Sequence, residues 1–80
     1  MDHKSVVYGL LVKWGDKPLS DIRDTDRMRD DLAMDVEDYG MSFVPALEKR
    51  LRFRASDAEW NRVVTVADVL DIVQRYLVAR

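Results

Sequence analysis

Apolar residues recur at helical spacing in the middle of the chain, between Asp30 and Leu51. Five of them and one glycine fall on one face of a continuous helix: Val36, Gly40, Phe43, Val44, Leu47 and Leu51. Such a stripe is typical of the buried side of an amphipathic helix. The pattern therefore predicts a second helix that begins near Asp35, with Val36 and the rest of the stripe facing the core.

A first helix is predicted from about Asp2 to Trp14. Its apolar residues repeat on one face and form the stripe Val6, Val7, Leu10, Leu11 and Trp14. Gly15 is placed to end this helix as a left-handed cap, and Pro18 prevents its continuation. Gly9 lies in the middle of the helix, where it costs about 1 kcal/mol unless another helix packs against it.

Two helix starts are predicted in the last third of the chain. Ser56-Asp57-Ala58-Glu59 is a capping box, and it predicts a short third helix that runs through Trp60 and Asn61. Thr65-Val66-Ala67-Asp68 is a looser version that opens the last helix. The apolar face of that helix is Val66, Val69, Leu70, Val73, Tyr76 and Leu77. These elements predict an all-α fold with three long helices and one short one.

A long polar loop, Asp16 to Leu32, joins the first two helices. A loop of this length in a small domain needs its own anchors in the core. Ile22, Met28 and Leu32 are the residues predicted to supply them.

Pro45 interrupts the predicted second helix and leaves two arrangements open. In the first, which we favour, the helix continues and kinks at Pro45 because proline removes one hydrogen bond and clashes with the preceding turn. In the second, the regular helix starts later, with Ser42 as its cap and Pro45 in the tolerant first turn.

Length and composition indicate one globular domain over residues 1–80. The chain is 48% hydrophobic and 35% charged, well outside the disordered range. It has no cysteine, and its single histidine, His3, lies near the terminus, so neither thiolate chemistry nor a metal site is expected. The apolar run from Val6 to Val12 is too short to cross a bilayer, and Met1–Ser5 does not resemble a signal peptide. We expect a cytoplasmic monomer.

The charges are distributed unevenly. Nine acids and four bases between Asp16 and Asp38 give this segment a local net charge of −5, whereas the whole chain has a net charge of −2. Four cations follow at the end of the second helix, Lys49, Arg50, Arg52 and Arg54, with Phe53 among them. They suit the negative end of a helix dipole, or alternatively an acidic or phosphate-bearing partner. A small helical regulator that binds nucleic acid is our third hypothesis. It ranks last because the overall negative charge disfavours binding to nucleic acid.

Candidate chemistry is sparse. Asp30 with Asp31, and Asp35 with Asp38, are paired carboxylates, but acid–base catalysis needs a cleft that separates their pKa values. An exposed loop does not offer one, so we do not expect an enzyme. Trp14 and Trp60 are expected to pack in the core, or alternatively to line an apolar pocket.

The joints between these elements resemble the acyl carrier protein family. Asp31-Leu32 and Asp35 match the carrier motif, in which a D-L pair and a small residue precede D-S-L, and Met28 stands at the position of the apolar anchor. Ala33 replaces the usual glycine. The segments ALEKRL at 46–51 and TVADVLDIV at 65–73 resemble the second and fourth carrier helices. The resemblance covers Met28 to Leu77 and implies a four-helix bundle.

One difference from the carrier motif concerns the attachment site. Carriers bear a 4′-phosphopantetheine arm on the serine after the aspartate, and here that residue is Val36, followed by Glu37. Small bacterial carrier-like proteins of unknown function also lack this serine, and the chain is similar to them. The resemblance implies no prosthetic group and a protein partner with a basic patch. The partner surface that it implies is Asp30, Asp31, Asp35, Glu37 and Asp38. The alternative interpretation of these acids is a solvated loop with helix-capping acids. The alternative is a working acyl or peptidyl carrier modified at another serine, of which Ser42 is the best placed.

Overall fold

The chain folds into four α-helices joined by turns, as the computed structural model of the protein describes it for residues 3–78. The helices are α1 (His3–Trp14), α2 (Val44–Leu51), α3 (Asp57–Asn61) and α4 (Val66–Val78). A 3-10 turn covers Leu19–Asp21, and a π-helical segment, Asp38–Phe43, runs directly into α2. Within the described range the only β-type pairing is an isolated bridge between Arg27 and Thr65. The predicted all-α class with one short helix is confirmed, while the predicted start of α1 at Asp2 lies outside the described residues.

The core lies between α1, the second helical stretch and α4. Helix α1 buries the predicted residues Val6, Val7, Leu10 and Leu11, and Trp14 is half-buried against them. Helix α4 buries Val66, Val69, Ile72 and Val73, while Leu70, Tyr76 and Leu77 of its predicted face are partly buried. Burial of an aliphatic side chain of this size is worth about 1.5–3 kcal/mol, so these two faces supply much of the fold's stability.

The long loop is anchored at the three predicted positions. Ile22, Met28 and Leu32 are all buried in the core, and Leu32 has no exposed surface. The prediction that these residues hold the loop is confirmed.

The same loop also caps α4, which the sequence pattern did not indicate. The carbonyl oxygens of Asp24 and Asp26 accept hydrogen bonds from the backbone N–H groups of Ala67 (2.8 Å) and Val66 (2.9 Å). The first-turn N–H groups of a helix have no partner within the helix itself. The loop backbone therefore supplies acceptors that α4 lacks, and the loop and α4 form one unit.

Both predicted caps are present at α3 and α4. The Ser56 hydroxyl accepts from the Glu59 N–H group at 3.3 Å, and the Glu59 carboxylate accepts in return from the Ser56 N–H group at 3.4 Å. At α4 the Asp68 carboxylate accepts from the N–H groups of Thr65 (3.0 Å) and Val64 (2.9 Å).

Lowering the pH should remove the stabilisation that Asp68 provides. The backbone N–H groups of Thr65 and Val64 hold the pKa of Asp68 below its ordinary value of 3.8. Because folding lowers this pKa, the contribution is present above about pH 4 and is lost as the pH falls through the lower pKa of the folded state. In urea unfolding at a series of pH values, Asp68→Asn should lose less stability on acidification than the natural chain. Asp57→Asn, at an exposed position of α3, serves as the control, and equal acid sensitivity of all three proteins would contradict the prediction.

The predicted second helix is continuous but changes type near Pro45. Residues 36–51 form one uninterrupted helical stretch, and the Val44 N–H group donates to the Tyr39 carbonyl, five residues back. A wider π turn directly before the proline relieves the clash and the missing hydrogen bond that proline causes in a regular helix. The regular α-helix begins at Val44, so Pro45 lies in its first turn as the second arrangement predicts, but Ser42 lies inside the π-helical segment and is not its cap. The interruption takes the form of a π turn before Pro45.

The π turn also corrects the predicted buried stripe. Phe43, Val44, Leu47 and Leu51 are buried as predicted, but Gly40 is exposed and Val36 is 72% exposed. One extra residue in a helical turn rotates everything before it by about 100°, the angle per residue that follows from 3.6 residues per turn. The prediction that Val36 faces the core is therefore wrong. Tyr39 turns toward the core where Gly40 was expected.

The predicted left-handed cap at Gly15 is also wrong, since no described glycine has a positive φ. Gly15 is needed for space instead. A Cβ atom at this position would lie 2.7 Å from the Leu11 carbonyl oxygen and 3.4 Å from the Leu32 Cβ.

Gly15→Ala should therefore destabilise the fold by about 1–3 kcal/mol through overpacking. The matched control is Gly9→Ala on the exposed side of α1, where a Cβ atom meets nothing within 4 Å. This second change should stabilise the fold by about 0.5–1 kcal/mol, because alanine loses less backbone freedom than glycine. Urea unfolding of both variants measures the difference, and effects of the same sign would contradict the assignment of Gly15 to a close contact.

Candidate functional site

The start of the second helical stretch presents Val36 at the surface. The Asp35 carboxylate accepts a hydrogen bond from the Asp38 N–H group at 2.7 Å, and the Asp35 carbonyl accepts from Tyr39 at 2.9 Å. Asp35 is therefore the helix cap, as predicted. Val36, the next residue, begins the helical stretch and points into solvent.

The turn before Asp35 has an unusual backbone. Ala33 has a φ of 54°, in the left-handed region. Residues with a Cβ atom rarely adopt this region, and glycine adopts it freely. On either side of Ala33 the chain is held by the buried side chains of Leu32 and Met34. This fixed turn sets the position of Asp35 and Val36.

The five predicted partner-binding acids lie around this helix start but differ in their surroundings. We call Asp30, Asp31, Asp35, Glu37 and Asp38 the acidic surface. Asp30, Asp35 and Glu37 are exposed, whereas Asp31 and Asp38 are half-buried. The Asp35 carboxylate is used as the helix cap. The surface available to a partner is therefore formed chiefly by the exposed acids, of which Glu37 extends furthest along the helix.

Arg27 offsets part of this negative charge. Its guanidinium lies 3.4 Å from the Asp30 carboxylate and 3.3 Å from that of Asp31. The Arg27 backbone N–H group also donates to Asp31 at 2.7 Å, and these contacts hold the pKa of Asp31 below its usual range. Asp31 thus has a structural role in its own turn, so the acidic surface carries less free charge than the sequence suggested.

A groove of about 640 Å³ opens beside Val36, between the helix start and α3. Its apolar wall includes Met28, Met34, Val36, Tyr39, Trp60 and Val64, and its rim carries Arg29, Asp30 and Asp35. Trp60 thus meets both sequence interpretations, since it is 4% exposed and also lines this groove. Trp14 lies at the end of α1, with the Lys13 ammonium group 5.4 Å from its ring centre.

Two residues that the sequence analysis did not single out hold Trp60 in place. The Tyr39 hydroxyl donates to the Trp60 carbonyl at 2.7 Å, and the Glu48 carboxylate accepts from the Trp60 indole N–H at 3.2 Å. Burial, together with the charge of Asp68, raises the pKa of Tyr39, which keeps this hydroxyl a donor. Tyr39 precedes Phe43 by four residues, which is a helical spacing, but Tyr39 is not part of the apolar stripe that the sequence predicts.

Two tyrosine–carboxylate pairs occur elsewhere on the surface. The Tyr8 hydroxyl donates to Asp24, and burial with this carboxylate nearby raises the pKa of Tyr8 to about 12. The Tyr76 hydroxyl donates to Glu59, and this bond holds the pKa of Glu59 below its ordinary value. Both tyrosines therefore stay protonated at neutral pH. Their role in these contacts is to join α1 to the loop and α4 to α3.

None of the four serines lies at the start of the second helical stretch. Ser42 is half-buried within the π-helical segment, and Ser56 is committed to capping α3. Ser20 lies in the 3-10 turn and Ser5 in α1. Ser42, the serine of the alternative hypothesis, thus lies in the middle of a helical stretch, whereas Val36 lies at its first turn.

Neither a metal site nor a membrane-spanning helix is present among the described residues. In the part of the chain that the structure describes, no three potential ligand side chains are grouped to hold a metal ion. No described helix is long and apolar enough to cross a membrane. No protein-family model matches the sequence, and no curated protein matches it. The features that bear on function therefore lie around Val36.

Proposed function

We propose that this chain is an acyl-carrier-protein-like module that bears no prosthetic group. It acts as a non-enzymatic interaction module that binds a basic protein partner through the acidic surface. The observation that carries the proposal is the 72% exposure of Val36, directly after the Asp35 cap. The resemblance aligns this position with the serine that carriers expose for modification.

The preceding turn supports the same proposal. The carrier motif has a glycine where this chain has Ala33, and Ala33 adopts a left-handed backbone that favours glycine. Met28 and Leu32, at the apolar positions of the motif, are both buried. The left-handed backbone at Ala33, where the motif has glycine, therefore supports the proposal, although the residue types differ at Ala33 and Val36.

The missing group is the nucleophile. Loading of a carrier requires a serine hydroxyl to attack the pyrophosphate of coenzyme A. A phosphorus–oxygen bond then forms to the serine, adenosine 3′,5′-bisphosphate leaves, and the hydroxyl proton is lost to a base. The valine side chain has no group that can take part in this step. The natural chain therefore cannot be loaded at this position.

The proposal is tested by giving the chain its missing hydroxyl. Val36→Ser, incubated with coenzyme A and a broad-specificity phosphopantetheinyl transferase, should gain one arm by intact-mass measurement, whereas the natural chain should stay unmodified. The matched control is Met41→Ser, because Met41 is 77% exposed on the same helical stretch but lies away from its start. An unmodified Val36→Ser protein would overturn the carrier-like site. Modification of the natural chain would favour the alternative carrier with Ser42.

The acidic surface is tested in the same assay. On the Val36→Ser background, Asp30→Lys with Glu37→Lys should slow loading at least tenfold, because the resemblance implies that partner enzymes dock through a basic patch, which the new lysines would repel. The control variant, Asp57→Lys with Asp71→Lys, makes the same change in net charge on α3 and α4. It should leave the loading rate within about twofold of the Val36→Ser protein, since effects of charge fade beyond a Debye length of ~8 Å. Equal rates for the two double variants would exclude the acidic surface as the docking site.

A further inference from the structure

A cluster of cations lies at the end of the second helical stretch, opposite the acidic surface. We call Lys49, Arg50, Arg52 and Arg54 the basic end, and all four are exposed. Arg52 terminates α2 with a left-handed backbone, φ 55°. Phe53 is half-buried and holds this turn against the body of the protein, with its ring centre 6.1 Å from that of Trp60 and 5.7 Å from that of Tyr76. The cations therefore project from a fixed turn.

The basic end is not neutralised within the described molecule. The ion pairs among the described residues involve Lys4, Lys17, Arg27 and Arg75, and none involves the basic end. Glu48, the adjacent acid, is directed elsewhere, since its carboxylate accepts from the Ala55 N–H group at 3.0 Å and from the Trp60 indole. Asp57 is the next acid along the chain, in the first turn of α3. Four adjacent cations thus face solvent in a chain whose net charge is negative.

The two charged ends are too far apart to neutralise each other. Residues 36–51 form one helical stretch, which at 1.5 Å per residue is about 24 Å long. The Debye length in cellular salt is about 8 Å, so the interaction between the two ends of one molecule is largely screened. Each end is therefore left to pair with charges on another molecule.

We infer that the basic end binds the acidic surface of a second copy of this chain, so that the copies associate head to tail. The inference rests on the acidic surface of the proposed function and names its partner. Charge complementarity supports it, because this chain carries both halves of the contact, one around each end of the helical stretch 36–51. Arginine suits such a contact, since its planar guanidinium can hold a carboxylate with two parallel hydrogen bonds. The helix dipoles of the two copies would also align end to end, which favours this orientation.

Head-to-tail contacts leave one free acidic surface and one free basic end in every dimer. Association should therefore continue to longer assemblies as the protein concentration rises. In sedimentation velocity at low salt, about 20 mM, the average mass should rise with concentration to at least twice that of the monomer. At about 300 mM salt it should fall back to the monomer value because the contact is screened. A natural chain that stays monomeric at low salt would overturn the inference.

Complementary variants test the geometry of the contact. One variant, Asp30→Asn with Glu37→Gln and Asp38→Asn, removes three of the five charges of the acidic surface and keeps the basic end. Asp31 and Asp35 are left in place because they hold the local turn and the helix cap. The other, Lys49→Gln with Arg50→Gln and Arg54→Gln, loses the basic end, and Arg52 is left in place because it terminates α2. Each variant alone should be monomeric. An equal mixture should form a one-to-one dimer and nothing larger, because only one matched pair of ends remains.

A control variant separates the position of the charges from their number. Lys13→Gln with Arg23→Gln and Arg62→Gln removes three exposed cations outside the basic end. It has the same net charge of −5 as the variant that lacks the basic end, namely three units below the natural −2. The control should associate as the natural chain does. If the control is also monomeric, or if the two complementary variants do not associate when mixed, the head-to-tail contact is excluded.

Failure of this inference can be told apart from failure of the proposed function. Loading of Val36→Ser depends on the helix start and on the transferase, and it is read by intact mass at concentrations where the chain is dilute. Normal loading together with a monomeric natural chain would overturn only the association. Association without loading would support the head-to-tail contact and overturn the carrier-like site.

Discussion

Trp60→Ala should destabilise the fold by about 3–5 kcal/mol, the usual cost of removing a buried aromatic side chain. Trp60 is 4% exposed and is the only buried residue of the five-residue α3. Isolated helices shorter than about 12 residues are marginal in water, so α3 depends on this contact with the core. An 80-residue domain has only on the order of 5–10 kcal/mol of stability. At room temperature, the variant should therefore be partly unfolded at urea concentrations that leave the natural chain folded.

Trp60→Phe separates packing from hydrogen bonding at this position. Phenylalanine keeps most of the apolar contact with Tyr39 and Phe53 but cannot donate to Glu48, which accepts the indole N–H at 3.2 Å. Loss of this hydrogen bond to a carboxylate should cost about 1.5–3 kcal/mol, less than the alanine variant. If Trp60→Ala costs no more than Trp60→Phe, the tryptophan is not an anchor of α3. In that case, burial of the Trp60 side chain would not be what fixes this wall of the groove.

Local patterns predicted those parts of the fold that depend on local interactions. The capping box at Ser56 and Glu59 specifies its own helix start, and both of its hydrogen bonds are present. The loop anchors Ile22 and Met28 were identifiable as apolar residues in an otherwise polar segment, and both are buried. In each case the residue type and its immediate neighbours determine the outcome. Such features can be predicted without knowledge of the tertiary contacts.

The errors arose where one residue changed the helical phase. Pro45 predicts an interruption of the helix. Its effect extends to the preceding residues through a π turn that no residue type specifies. The helix before it rotated, so Val36 and Gly40 face solvent and Tyr39 packs on Phe43 at a ring-centre distance of 6.1 Å. The helix start at Asp35 was therefore predicted correctly, while the orientation of Val36 was predicted wrongly. That orientation depends on which helical turn widens to accommodate Pro45. The packing of the core determines which turn this is.

The role of Glu48 illustrates a second limit of the sequence. It was visible only as one acid within a charged run at the end of the second helix. In the structure, it joins α3 to α2 by accepting from the Ala55 N–H group and the Trp60 indole. These partners lie 7 and 12 residues further along the chain. No local pattern links an acid to them, so only the folded arrangement shows why it is directed inward.

Phe43→Ala should destabilise the fold by about 3–5 kcal/mol, because Phe43 has no exposed surface and is the buried residue of the π-helical segment. Its ring stacks on Tyr39, whose hydroxyl in turn holds the Trp60 carbonyl at 2.7 Å. Truncation therefore removes packing from the core and support from the groove beside Val36. Urea unfolding measures the stability. On a Trp14→Phe background, in which Trp60 is the one remaining tryptophan, the intrinsic fluorescence should report greater solvent exposure of Trp60 before the global transition.

Phe53→Ala is the matched control for Phe43→Ala. It deletes the same atoms at a half-buried position, where the ring contacts Trp60 and Tyr76 at the surface of the core. Loss of partial burial and of these ring contacts should cost about 1–2 kcal/mol. The difference between the two variants measures how far the π-helical segment depends on its buried ring. If both variants lose the same stability, Phe43 is not what holds that segment against the core, and the orientation of Val36 must then be set by Pro45 and the Asp35 cap alone.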